Sequence, residues 1–414
     1  MGANCAATVS IGCLFCCQGC NAEKIRVAVT FLPPPPSYMV EESSTMGPDN
    51  MPRGKLVYLS ETLRNFSDYQ QAADRAEVHF VRTSRGEKVP LVWLRPSGAS
   101  SSSNPAIRDP PRLVLLHCHG NATDIGMMMG PYFDLSKQLG IEVVGLEYSG
   151  YGVSSGTPND KNTFADVEAA YDHIVAAGVP PERIAAYGQS VGSGPVSYLA
   201  AKRQLGGLIL HSPLMSGIKV IDPQPDRCCR PSCVYTCCDF YPNDKRIKSV
   251  KCPAFIIHGQ LDDIVPFYHG QGLSFITPEQ HRWPGYFPAG AGHNDIVELN
   301  AAEYFREVRA FLNNVAQGSG STPIAEKPMQ VEMQSVLGAR DGDRRGGDAW
   351  KTEPGPSTFG VLSYPEPIVG PEDGMYSKLR RQQDPPSGGA RELQPIPLVG
   401  SSAIGGSGAR TANV

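Results

Sequence analysis

The stretch Arg183-Ile184-Ala185-Ala186-Tyr187-Gly188-Gln189-Ser190-Val191-Gly192 decides the fold. Residues 183–187 read as a short buried strand. Residues 191–202, small and apolar, read as the helix that follows. Between them lies Gly-x-Ser-x-Gly. A serine on so tight a strand-to-helix turn is forced into strained backbone geometry, which lifts its hydroxyl above the sheet. Glycine is needed on both sides because a Cβ there would collide within the turn.

Working outward, residues 113–116, Leu113-Val114-Leu115-Leu116, form an uninterrupted apolar run, as expected of a parallel strand covered on both faces. Further strands are predicted over 142–146, 184–187, 207–210 and 254–257. Helices are predicted over 163–176 and 191–202, with a closing amphipathic helix over 299–315. Strands alternating with helices give βαβ units and an α/β fold, with a mostly parallel central sheet and helices on both faces. Residues 77–81 and 89–94 flank Ser84-Arg85-Gly86-Glu87 and read as a hairpin at the start of the core. The expected organisation is a Cys-rich leader over 1–30, a Pro-rich linker over 31–54, a catalytic domain over 55–315 and a disordered tail over 316–414. Roughly 260 residues are ample for one such core.

The net charge is −4 and no basic stripe is present, which argues against a nucleic-acid partner. No apolar run approaches the ~18 residues of a membrane span. Five of the 12 cysteines (Cys5, Cys13, Cys16, Cys17, Cys20) fall in the first 20 residues, and five more (Cys228, Cys229, Cys233, Cys237, Cys238) in one short insert. A secreted disulfide framework would follow a signal peptide, whereas here no Lys or Arg precedes Lys24. The expectation is an intracellular protein with reduced thiols.

A serine hydroxyl needs a base, and the base needs an orienting carboxylate. In the α/β-hydrolase arrangement these follow in the order Ser, Asp or Glu, His. After the strand at 254–257, His258-Gly259-Gln260-Leu261-Asp262-Asp263-Ile264-Val265-Pro266 points to Asp262 as the acid, with Asp263 as its alternative; an ordinary strand-terminating or helix-capping role is the plain reading of both. Gly290-Ala291-Gly292-His293-Asn294-Asp295 is a small, glycine-rich loop before the last helix, and points to His293 as the base. The other histidines lack that chain order and loop. For the oxyanion hole, one backbone N–H is expected from Val191 and the second from His119-Gly120-Asn121-Ala122, with Asn121 preferred to Ala122. An ordinary βα turn is the plain alternative there. This chemistry calls for no metal and no organic cofactor.

Together, His119-Gly120-Asn121-Ala122, Tyr148-Ser149-Gly150-Tyr151-Gly152, Tyr187-Gly188-Gln189-Ser190, Leu210-His211-Ser212-Pro213-Leu214 and Gly290-Ala291-Gly292-His293-Asn294-Asp295 resemble the alpha/beta hydrolase domain-containing protein seventeen family. The resemblance covers about residues 10–313 and includes the leader, through Cys13-Leu14-Phe15-Cys16-Cys17 and Phe31-Leu32-Pro33-Pro34. It implies a membrane-anchored acyl-protein thioesterase that removes palmitate from cysteines of other proteins. It also implies Ser190, Asp262 and His293 as the triad, with Cys13, Cys16, Cys17 and Cys20 as palmitoylation sites. The implied location is the cytoplasmic face of membranes, at the plasma membrane and endosomes, held by lipid chains. The cysteine insert and the long C-terminal stretch depart from the family's pattern.

The leader carries two kinds of lipid signal. Gly2 follows Met1, but Ala6 stands where the myristoylation pattern wants Ser or Thr. S-acylation can use Cys5 as well as the four cysteines above. Stable anchoring takes at least two chains. The spacing Cys13-x-x-Cys16 and Cys17-x-x-Cys20 also permits zinc. The insert at 228–238 could line a lid, be acylated, or hold a metal or disulfide. The reading is therefore a depalmitoylating serine hydrolase whose partners are S-acylated proteins and a membrane surface. The alternatives are a lipid esterase, since a triad does not separate thioester from oxyester, and a non-catalytic binding protein on the same scaffold.

Overall fold

The computed structural model describes residues 23, 24, 27, 30–47, 50–96, 113–220 and 239–318. The sheet they form has nine strands in the order β1-β2-β3-β4-β6-β5-β7-β8-β9. These are β1 (Tyr38–Met46), β2 (Pro52–Tyr58), β3 (Ala76–Arg82), β4 (Lys88–Leu94), β5 (Val114–Cys118), β6 (Glu142–Leu146), β7 (Ile184–Gln189), β8 (Gly207–His211) and β9 (Ala254–Ile257). The strands β6, β5, β7, β8 and β9 pair in parallel. An antiparallel run from β1 to β4 joins them through β6. The hairpin expected around residues 84–87 is the β3–β4 pair.

The longer helices are α1 (Ser67–Arg75), α2 (Met129–Leu139), α3 (Asp160–Ala176), α4 (Ser193–Lys202), α5 (Tyr268–Ile276) and α6 (Ile296–Gln317). Side chains alternate across a strand, so one strand serves two cores. On β6, Val144 and Leu146 join the cluster that holds Val167 and Ile174 of α3 and Val196 and Leu199 of α4. Gly145, between them, faces the other way; a Cβ there would lie 2.3 Å from the Tyr132 ring of α2. On that same side α6 is so close that a Cβ on Gly207 would meet Phe311 at 2.8 Å. All five residues of β5, β6 and β8 are buried, which is why these strands read as continuous apolar runs.

The sequence reading puts residues 31–54 in a Pro-rich linker, with the folded unit starting at residue 55. The structure corrects this: Tyr38–Met46 is the edge strand β1, and Pro52 already belongs to β2. Its polar run Glu41-Glu42-Ser43-Ser44 carries no apolar periodicity, yet Tyr38 is fully buried and donates its hydroxyl to Glu147 at 3.0 Å. Phe31, also placed in the linker, lies in the core. At the other end α6 runs to Gln317 and stops at Gly318, whose φ is 64°. Residues 1–22 of the leader, with all of its cysteines, the insert at 228–238 and the tail from 319 lie outside the described residues. So do the lipidation and metal readings attached to them. No helix among the described residues is long and apolar enough to cross a membrane.

Candidate active site

The site assembles at the carboxyl ends of the parallel strands, where an open α/β sheet leaves its crevice. Ser190 follows β7 directly and has φ 51°, the strained left-handed conformation of the elbow. A Cβ on Gly188 would stand 2.4 Å from Val196 Cγ2 and 2.5 Å from the Gly192 carbonyl. On Gly192 it would stand 2.2 Å from the Cys118 carbonyl oxygen and 2.7 Å from that of His119. The first glycine lets the turn close. The second lets the elbow press against the loop after β5.

The structure brings Ser190, His293 and Asp262 into one hydrogen-bonded line. His293 Nδ1 lies 2.7 Å from Asp262 Oδ2, and His293 Nε2 lies 3.0 Å from Ser190 Oγ. An ionised carboxylate only accepts, so Nδ1 donates to it and Nε2 is left to accept the serine O–H. The loops carrying acid and base are packed together: Leu261 N donates to Ala291 O at 2.9 Å, and a Cβ on Gly259 would meet Ala291 O at 2.3 Å. Between the two aspartates burial decides. Asp262 is buried with its carboxylate turned inward, whereas Asp263 is exposed.

Asp262 has four donors. Oδ1 accepts from Val265 N at 2.7 Å and Ile264 N at 3.0 Å, and Oδ2 accepts from His293. The fourth donor is His258 Nε2, 3.0 Å from Oδ2 and 2.8 Å from the Val265 carbonyl. Burial works against ionisation of Asp262, but the hydrogen bonds from His258 and His293 outweigh it and hold the carboxyl well below the usual carboxylate range. His258 thus supports the acid, a role that sequence reasoning missed by weighing it only as a rival base. Its position four residues before Asp262, at a strand end, is the signal that could have found it.

The rival histidines do other work. Burial pushes His211 and His269 down to about 3, and His117 well below the usual histidine range. His211 meets the Tyr187 hydroxyl at 2.5 Å, His269 accepts from Met215 N at 2.9 Å, and His117 stacks on the Tyr187 ring at 4.6 Å. Neither buried thiol competes as nucleophile, since burial raises Cys252 to about 12 and Cys118 further.

The loop after β5 faces the nucleophile: a Cβ on Gly120 would lie 3.9 Å from Ser190 Cβ. The Ala122 N–H is occupied by Asn121 Oδ1 at 3.0 Å. The Asn121 N–H meets no acceptor among the described residues, which favours it over Ala122 as the second donor beside Val191. Behind the loop, His119 Nε2 lies 3.0 Å from Glu147 Oε1, both side chains fully buried, and Tyr148 donates to the His119 carbonyl at 2.7 Å. Among the described residues no group of His, Cys, Asp and Glu side chains is arranged to hold a metal ion.

Comparison with known proteins places the chain among hydrolases. The family model described as "Serine aminopeptidase, S33" matches residues 109–229. The chain is 36% identical over 313 residues to the alpha/beta hydrolase domain-containing protein aho-3 of Caenorhabditis elegans, covering 75% of this chain and 84% of that protein. It is 36% identical to protein 17C of Xenopus tropicalis, over 73% of this chain and 93% of the relative, and 35% identical to human protein 17B, over 73% and 94%. With the elbow, the sheet and relatives matched over nearly their whole length, the chain belongs to the alpha/beta hydrolase domain-containing protein 17 family.

Proposed function

We propose that this hydrolase removes S-acyl groups, palmitate among them, from cysteines of membrane-associated proteins. The observation that carries the reading is the line from Asp262 through His293 to Ser190, ending at an elbow pressed against the Asn121 loop. Ser190 Oγ attacks the thioester carbonyl while His293 Nε2 takes its proton, and Asp262 holds the imidazolium that forms. The backbone N–H groups of Val191 and Asn121 receive the oxyanion. The intermediate then collapses by breaking its C–S bond, and the His293 imidazolium gives its proton to the departing sulfur, which leaves readily because a cysteine thiolate is a far weaker base than an alkoxide (thiol pKa about 8.5). His293 then activates water, which releases the fatty acid and restores Ser190.

Exposed apolar side chains lie close in the chain to the site residues. Leu261 and Ile264 flank Asp262 in sequence and are 65% and 52% exposed, and Leu32, hydrogen-bonded through its N–H to Asn121, is 56% exposed. An acyl chain or a lipid surface would take such side chains out of water. Acylation of Cys13, Cys16, Cys17 and Cys20, with Cys5 and Gly2 as further lipid sites, would hold the enzyme on the cytoplasmic face of the membranes that carry its substrates.

The test is a panel of matched acyl thioesters and oxyesters, monoacylglycerol included, with Ser190→Ala as control. The reading requires Ser190-dependent hydrolysis with kcat/KM higher on long-chain thioesters. Preference for monoacylglycerol would replace it with a lipid esterase. Full activity in folded Ser190→Ala would reject the mechanism.

A further inference from the structure

The chain crosses the back of the oxyanion loop before it reaches the sheet. The Asn121 side chain is held on both sides by this crossing: Nδ2 donates to the Thr30 carbonyl at 2.6 Å, and Oδ1 accepts from Leu32 N–H at 2.9 Å. Tyr151 completes the clamp, donating to Asn121 Oδ1 at 2.8 Å, with its hydroxyl 3.1 Å from Leu32 N. Between the two contacts Phe31 is buried in the main core, edge-on to Tyr241 at 6.3 Å. After the stiff Pro33-Pro34-Pro35-Pro36 spacer, Ser37 fastens the other end of the loop. Its N–H and hydroxyl donate to Asp124 at 2.7 and 2.5 Å. Tyr38 then reaches Glu147, which holds His119. Residues 30–38 therefore reach His119 through Glu147 and through Tyr151, whose ring lies 5.8 Å from that of His119, but bond Asn121 and Asp124 directly.

We propose that residues 30–38 are a positioning strap for the oxyanion hole: they fix the 120–121 peptide so that the Asn121 N–H points at the developing charge. The inference rests on the oxyanion role given to Asn121 above. An oxyanion donor acts only if its aim is fixed before the reaction, and a fixed aim needs a supporting shell. Here that shell is the stretch that joins the candidate lipid anchor to the catalytic domain. A bare linker would need neither a buried aromatic nor hydrogen bonds on both sides of one asparagine. In this arrangement the anchor's chain passes directly into the support of the catalytic loop.

The full-length chain tests this with a short-chain acyl thioester and the matching p-nitrophenyl ester, both soluble, so that membrane access plays no part. Phe31→Ala withdraws the wedge. Asn121→Asp keeps the acceptor oxygen and the backbone N–H, but turns the donor facing the Thr30 carbonyl into a second acceptor. Complete removal of one oxyanion donor costs about 10²–10³ in kcat. Misaiming one should lower kcat on the order of 10- to 100-fold and leave KM within about twofold, because the lost interaction belongs to the transition state. The double variant should be no worse than the poorer single one, since both act on the same N–H. Phe31→Leu, which refills the pocket, should recover most of kcat. If Phe31→Ala does not fold, Asn121→Asp and Tyr151→Phe carry the comparison.

Unchanged kcat in the folded variants, a rise in KM alone, or losses that multiply in the double variant would each overturn the strap. An enzyme that prefers the oxyester defeats the thioester reading but leaves this test intact, because both substrates develop the same oxyanion. A parent inactive on both substrates would remove the oxyanion role and the strap with it.

Discussion

Replacing His258 with phenylalanine isolates what the second histidine does for Asp262. Phenylalanine keeps a ring against Gly270, where a Cβ would already lie 2.4 Å from His258 Nδ1, but it removes the Nε2–H that faces both Asp262 Oδ2 and the Val265 carbonyl. A hydrogen bond to a charged group contributes about 1.5–3 kcal/mol, and Asp262 keeps its other three donors, so the expected loss of stability is about 2 kcal/mol. For a domain of this size that lowers the thermal midpoint by roughly 4–8 °C. The carboxylate, freed at Oδ2, should also hold His293 less firmly, and kcat should fall about tenfold with KM little changed. The pH response has a definite sign. Asp262 is held below its ordinary value in the folded protein, so its contribution is present above the unfolded carboxylate pKa and lost as pH falls through the folded one. Removing His258 raises the folded pKa, and the variant should unfold in acid at a higher pH than the parent. The assays are thermal and acid unfolding of the purified chain together with steady-state kinetics. A variant with parental kcat and reduced stability would show His258 to be structural only. Parental values of both would refute the reasoning altogether.

Ser190→Ala should abolish labelling by a fluorophosphonate probe in a protein whose circular dichroism is unchanged. His293→Ala and Asp262→Asn should each lower kcat on the order of 10⁴-fold and combine non-additively, whereas Asp263→Asn, at an exposed position, should stay within about twofold in the same assay. Gly192→Ala drives a Cβ into the Cys118 carbonyl, so the elbow must shift, and probe labelling should be lost even where the chain still folds. Asp166 is raised to about 7, chiefly by burial and against its two hydrogen bonds from Ser149. Its stabilising contribution is complete below the unfolded carboxylate pKa and is lost as pH rises toward 7, so denaturant midpoints measured from pH 5 to 8 should fall less in Asp166→Asn than in the parent. Replacing Cys13, Cys16, Cys17 and Cys20 together with serine should move the chain to the soluble fraction while hydrolysis of a soluble thioester persists; retention on membranes would refute acyl anchoring through these four positions.

Wherever conformation follows from neighbours in the chain, the sequence by itself determined it. The elbow is written in five residues, because only glycine tolerates the contacts at Gly188 and Gly192 that the serine's φ of 51° imposes. The parallel strands are legible because burial on both faces makes them uniformly apolar, and the chain order of Ser190, Asp262 and His293 follows from the alternation of strands and helices. Tertiary structure alone decided which polar groups meet. Spacing after the strand points to Asp262, but Asp263 is chemically alike, and the inward turn of one carboxylate is what separates them in the fold. Tyr38 with Glu147, and Asn121 with Thr30, are partners 109 and 91 residues apart, and no local pattern encodes such a pairing. The strand β1 is not legible in the sequence for the same reason: its polar residues carry no periodicity, and what fixes it is the pairing with β2 and the burial of Tyr38 against Glu147. Periodicity reports which face of an element is buried, whereas a hydrogen bond across the fold exists only once packing has brought donor and acceptor together.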